Sequence, residues 1–212
     1  MSPTQTKQDN GNAREGILFA SLKTFARYGY EGASLPKIAQ LANVAPTLIH
    51  YHFGTKDLLW RETVNHSLGE LRREATAIAK ATCSLAPLDR LRALLQVICN
   101  FAAHWPDHFF MIIAEARADT KRFEWVQTNY TGALFEEVVG LLNDARKAGI
   151  IRDVRNNEVA TTLVAGILLN FTVYPSRLSP KDREAAATAY CDQMFEVLLL
   201  GVSDAGLVSP IV

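Results

Sequence analysis

Three cysteines in 212 residues, Cys83, Cys99 and Cys191, are too few and too far apart for a disulfide framework or a CxxC metal knuckle. They point to a reducing compartment and to thiols used as core residues. No run of about 20 apolar residues occurs, the length a bilayer-spanning helix needs. The longest nearly uncharged stretch, 159–174, is interrupted by Thr161, Thr162, Asn170 and Thr172 and reads as a buried helix. The first fifteen residues, MSPTQTKQDNGNARE, lack the apolar core of a signal peptide and read as a polar tail. A cytoplasmic chain without a membrane partner is the expectation. Neither sign of charge prevails, with 22 Lys plus Arg against 22 Asp plus Glu. At 49% apolar and 21% charged, the composition excludes disorder and collagen-like repeats. The nucleophile elbow G-x-S-x-G, the phosphate loop G-x-x-x-x-G-K-[ST] and the dinucleotide fingerprint G-x-G-x-x-G are all missing. No catalytic residue, metal site or cofactor is therefore assigned.

What is present is unevenly distributed. Residues 1–61 hold seven cations (Lys7, Arg14, Lys23, Arg27, Lys37, Lys56, Arg61) and four anions (Asp9, Glu15, Glu31, Asp57), so a head of charge +3 precedes a body of −3. A basic end is a weak pointer to a polyanion partner. No segment alternates apolar and polar residues as a half-buried strand would, whereas helical spacing recurs, and the fold class is all-α. Leu18, Leu22 and Phe25 stripe a helix over 13–29 that stops at Gly29. Ser34 can cap a short helix through Ala42, a third runs from near Pro46 to Phe53, and Thr55 can cap a longer one from Lys56 to about Lys80. Leu88, Leu91, Leu95, Ile98, Ala102 and Trp105, bracketed by Pro87 and Pro106, mark another. Further helices are read at 107–119, 124–148, 156–177 and 181–201, giving nine in two lobes fused through the long helix at Lys56.

Between Ser34 and Phe53 the inward set is Leu35, Ile38, Ala39, Ala42, Val44, Ile49 and Phe53, with Ala39 small where two helices cross closely. Asn43 sits at the bend, where tolerance of positive φ is needed. On the opposite face Thr47, His50 and Tyr51 stand at i, i+3 and i+4, and are surface neighbours. Hydroxyl, imidazole and phenol groups reach phosphates and base edges in a major groove, while a merely solvated face more usually carries Glu and Lys. The spacing is that of a helix-turn-helix.

Phe25, Gly29, Ser34, Ile38 and Ala39, followed by ANVAPTLIHYHFGTKDLL over 42–59, resemble the TetR family of bacterial one-component transcriptional regulators. The resemblance is strong over residues 12–72. It implies a DNA-binding domain there and a ligand-binding and dimerisation domain over 73–212. It makes Ile38 and Ala39 part of the supporting helix and 47–53 the recognition helix. The DNA-facing set it implies is Ser34, Lys37, Thr47, Leu48, His50, Tyr51, His52 and Lys56. Lys56 has its own warrant, because it opens a helix whose free N–H groups favour an anion. Two positions depart from the family pattern. Ala45 replaces the usual Ser cap of the recognition helix, and His50 replaces a Tyr.

The resemblance also implies a homodimer on a palindromic double-stranded operator, a small-molecule effector, and most naturally a repressor. Dimer stripes are expected from Val164, Ile167, Leu168 and Phe171 on one helix, with Ala186, Tyr190, Met194, Val197 and Leu198 on the last. Core packing explains either stripe equally. For a largely apolar effector the lining candidates are His104, Trp105, Phe109, Met111, Glu115, Trp125, Tyr130, Asn170 and Tyr174. Asn170 is singled out because an amide inside an apolar helix needs a partner. His104 and His108 are four apart, but Pro106 between them breaks the helix a metal pair would share. The alternative is an all-α ligand-binding protein or enzyme carrying a vestigial head.

Overall fold

The computed structural model describes residues 3–118, 120–151, 155–173 and 182–202, with side chains described within 13–197. Every regular element among them is helical: α1 (Pro3–Gly32), α2 (Leu35–Ala42), α3 (Pro46–Phe53), α4 (Lys56–Ala81), α5 (Pro87–His104), α6 (Pro106–Arg117), α7 (Lys121–Val126), a π turn (Gln127–Thr131), α8 (Gly132–Lys147), α9 (Asn156–Val173) and α10 (Arg183–Val202). α7, the π turn and α8 follow one another without a gap, so the nine helical stretches expected are present. The sequence reads this seventh stretch as one regular helix, and the π turn is the difference. Its widened backbone brings the Gln127 carbonyl to 2.7 Å from where a Cβ on residue 132 would stand, and only glycine fits there.

Local chemistry accounts for the breaks. Gly29 takes φ 66° and ψ 177°, a region open essentially to glycine, and interrupts α1 where the apolar stripe ends. The polar residues expected as a tail continue α1 outward to Pro3, a residue suited to a first helical turn. Ser34, in extended conformation, caps α2 by accepting from the Lys37 N–H at 3.4 Å. Asn43 closes α2 in the left-handed conformation at φ 55°. Ala45 gives α3 no side-chain cap, and Pro46 in the first turn removes one N–H that would need one. Thr55 Oγ1 accepts from Leu58 N–H at 3.2 Å and starts α4.

Contacts group the chain into two compact units, Met1–Glu70 with Asp107–Val126, and Leu71–Pro106 with Gln127–Val212. The first has a core of Ile17, Leu18, Leu22, Phe25, Ile38, Ile49, Leu59, Trp60 and Val64. Arg14 of α1 pairs with Glu62 of α4 and lies over the Phe53 ring at 5.3 Å, which fastens the end of α3. α6 and α7, which the sequence division places in the second lobe, pack in this first unit. Ser67 Oγ meets buried His108 at 2.7 Å, and the Trp60 and Trp125 rings meet edge-on at 6.1 Å. The second unit packs Leu91, Leu94, Leu95 and Ile98 of α5 against apolar faces of α8, α9 and α10. Arg92 joins Asp192 at 2.6 Å, and Gln96 donates to Thr188 Oγ1 at 3.4 Å.

Candidate nucleic-acid interface

α3 divides cleanly between an inner and an outer face. Ile49 and Phe53 are buried, and burial of such side chains is worth about 1.5–3 kcal/mol each, enough to fix the rotation of an eight-residue helix that is too short to hold itself. Thr47, His50 and Tyr51 are consequently turned to solvent, with Tyr51 75% exposed. Leu48 is half-buried at the edge of that face. The His50 Nδ1 donates to the Gly54 carbonyl at 2.9 Å, so the neutral ring keeps Nε2 as an acceptor. His52, expected at a phosphate, differs: its Nε2 is shielded from solvent, and its ring packs edge-on against Tyr51 at 5.1 Å. The two-residue offset from His50 turns it towards the helix flank.

The cations at the edges of α2 and α4 stand on aromatic rings. Lys37 Nζ lies 4.4 Å from the centroid of Tyr28, and Lys56 Nζ lies 4.4 Å from that of Tyr30. Lys56 also reaches the Glu31 carbonyl at 3.5 Å. The Tyr30 ring carries a second cation, with the Arg122 guanidinium 3.6 Å from its centroid. Burial, then the Asp57 carboxylate, push the Tyr30 phenol above its ordinary value, with Arg122 opposing, so the ring stays neutral. Sequence reasoning gave Tyr30 and Arg122 no role. The one signal for Tyr30 is its place beside Gly29, whose positive φ directs the residues after it.

The other expected site residues are dispersed. Phe109, Met111 and Glu115 are buried in the first unit, with Trp125 half-buried there, whereas His104, Trp105, Tyr130 and Asn170 belong to the second. Glu115 has protein partners: Thr120 Oγ1 donates to it at 2.6 Å and Arg122 Nε at 3.0 Å. His104 is exposed and bonded through Nδ1 to the Asn100 carbonyl at 2.8 Å. Tyr174 lies outside the described residues. An open groove of about 580 Å³ in the second unit is lined by Glu184, Ala185, Thr188, Ala189 and Asp192, none of them effector candidates. Among the described residues no group of three His, Cys, Asp or Glu side chains is placed to hold a metal ion.

The two dimer stripes also separate. Ile167 and Phe171 are 0% and 3% exposed within the single chain, so their apolar area is already covered. Phe171 meets the Tyr190 ring at 5.5 Å, and the Tyr190 hydroxyl donates to the Gly166 carbonyl at 2.9 Å, closing α9 on α10. Val164, Leu168, Ala186 and Met194 are half-buried, and Val197 is 65% exposed. The Leu198 side chain lies outside those described.

A capped short helix, a left-handed turn and a second helix with a polar outer face define a helix-turn-helix head. A model of the family described as bacterial regulatory proteins, tetR family, matches residues 17–63 of it. The chain is 34% identical over 84 residues to the HTH-type transcriptional regulator BetI of Rhizobium meliloti, a match spanning 40% of each protein. It is 28% identical over 156 residues to the HTH-type transcriptional repressor NicS of Pseudomonas putida, covering 73% of this chain and 71% of that one. The fold is that of the ketosteroid transcriptional regulator KstR2 of Mycobacterium tuberculosis, with a TM-score of 0.75 at 20% identity over 90% of this chain and 95% of that one. Residues 17–63 thus match the TetR family of transcriptional regulators, and the rest of the chain is similar to regulators of that kind in sequence and in fold.

Proposed function

We propose that the protein is a DNA-binding repressor that acts as a homodimer on a palindromic operator. The observation that carries this reading is the outer face of α3. Three polar side chains of differing hydrogen-bond capacity are held outward by two buried ones, in a head with a surplus of three positive charges. In mechanism, α3 lies along a major groove with Thr47, His50 and Tyr51 at base edges and phosphates. Ser34, Lys37 and Lys56 flank it at the backbone. Release by a small, largely apolar effector extends the proposal. Trp105, Tyr130 and Asn170, all partly buried in the second unit, support that extension. An effector that prefers one conformation shifts the population and lowers DNA affinity by that preference.

The test is enrichment of duplexes from a random pool by the purified protein, followed by titration of the enriched duplex at two salt concentrations. One palindrome, bound with log K falling by about 0.9 per neutralised phosphate as log salt rises, is the expected result. Tyr51→Ala should weaken specific binding by about 1–3 kcal/mol. A pool with no enriched sequence, or an unchanged affinity in Tyr51→Ala, would sink the reading.

A further inference from the structure

We propose that Arg122 is a positioning residue for the phosphate contact of Lys56, acting through the Tyr30 ring that both cations share. The inference rests on the DNA-binding reading of Lys56 given above. Lys56 Nζ and Arg122 Cζ lie 4.4 and 3.6 Å from the centroid of one phenol ring, within the range where a cation is held by the ring's negative face. Glu31 serves both as well, its carbonyl 3.5 Å from Lys56 Nζ and its carboxylate 3.8 Å from an Arg122 nitrogen.

Of the three groups, Arg122 is the best anchored. Its Nε donates at 3.0 Å to Glu115, a carboxylate whose side chain is 4% exposed and which also accepts from Thr120 Oγ1 at 2.6 Å. The planar guanidinium can satisfy that carboxylate at its edge while its flat face lies on Tyr30, a combination that an ammonium cannot reproduce. With Arg122 over it and the Phe25 ring stacked parallel to it at 6.0 Å, Tyr30 is restricted to one place. Lys56, on a flexible four-carbon stem at the start of α4, is restricted in turn. An ammonium already held where a phosphate will meet it loses less conformational freedom on binding. A purely structural Arg122 would brace α7 and leave Lys56 indifferent to its removal.

Two readouts on the full chain separate these cases. In the DNA-free protein, NMR signals of the Lys56 methylene next to Nζ, identified by their absence in Lys56→Ala, are shifted by the ring current of Tyr30. They are expected to move to the free-lysine position in Tyr30→Leu and Arg122→Gln, and to stay in Tyr30→Phe. On the duplex enriched by the wild type, Arg122→Gln and Tyr30→Leu should each weaken binding about three- to fivefold, the scale of one exposed cation–π contact. Each should also make the salt slope shallower by about 1, and neither should add a loss in a Lys56→Ala background. Arg122→Lys, which retains the charge without the flat face, replaces Arg122→Gln if the latter does not fold. Lys56 signals unmoved in well-folded variants would overturn the coupling, as would the same loss of affinity with and without Lys56. A pool with no enriched duplex would overturn the DNA-binding reading and with it the phosphate half of the proposal, while the NMR signals would still decide the coupling.

Discussion

Burial of the His108 imidazole in the first unit, with Ser67 Oγ 2.7 Å from Nδ1, pushes its pKa down to about 3. In the unfolded chain the same group takes its proton near 6.5. Between those values the unfolded state binds the additional proton, so stability rises with pH there and is lost as pH falls from 6.5 towards 3. The steepest loss is about 1.4 kcal/mol per pH unit for one group. In His108→Leu the urea midpoint should be lower at pH 7.5 by the net worth of the lost Ser67 hydrogen bond, about 0.5–1.5 kcal/mol, because the Ser67 hydroxyl keeps the Thr63 carbonyl at 3.2 Å. Its decline between pH 6 and 4 should nevertheless be shallower than in the wild type. Equal slopes in the two proteins would refute the assignment. The thiols give a second test at this scale. Cys83 is exposed, whereas Cys99 and Cys191 are buried, and the hydrogen bond to Cys191 together with burial pushes the Cys99 thiol up. A thiol reagent should label Cys83 alone in the native protein, with the other two reacting only on unfolding.

At the scale of the elements, the breaks between α1 and α4 are where single substitutions should matter most. Gly29 at φ 66°, ψ 177° has open space around an added Cβ, so the penalty of Gly29→Ala is backbone strain alone, about 1–3 kcal/mol. Asn43 at φ 55° should tolerate Gly and lose about 1–2 kcal/mol on change to Val. Ser34→Ala should lose about 1 kcal/mol through the missing cap. Thermal unfolding of the four variants, ranked with Asn43→Gly nearest the wild type and Gly29→Ala equal to or below Ser34→Ala, checks the assignment. These were also the legible parts of the chain. Caps, prolines and left-handed residues act within a few positions, so Ser34, Asn43 and Pro46 declare themselves in sequence. The π turn before Gly132 depends on one carbonyl's approach, and no residue pattern announces it. The dimer stripes show the complementary failure. A 3.6-residue period shows that Ile167 and Phe171 share an apolar face of α9 and that Tyr190 belongs to one of α10, but not that the two helices of one chain already cover much of both. Arg122 escaped notice for the same reason, since its partners Tyr30 and Glu115 lie 92 and 7 positions away.

For the whole molecule, the proposed dimer makes a prediction that no single head does. Under the proposed reading, a short outer face on α3 that contacts a few bases gives one head modest affinity. Joining two heads converts the second contact into an intramolecular event, with a gain of about 10²–10⁴ when both half-sites are in phase. Half-sites that face the same side of B-DNA are spaced by whole turns, about 10–10.5 base pairs. Five base pairs inserted at the centre of the enriched palindrome turn one half-site by about half a turn and carry it to the opposite side of the duplex. Binding should then fall to that of an isolated half-site. Ten inserted pairs restore the facing but add a full turn of separation, and recover affinity only if the heads can spread that far. Titration of the four duplexes with the full chain measures the gain. Equal affinity for the half-site and the intact palindrome would mean that each head binds alone, and the homodimer on a palindrome would have to be given up while the helix-turn-helix reading stood.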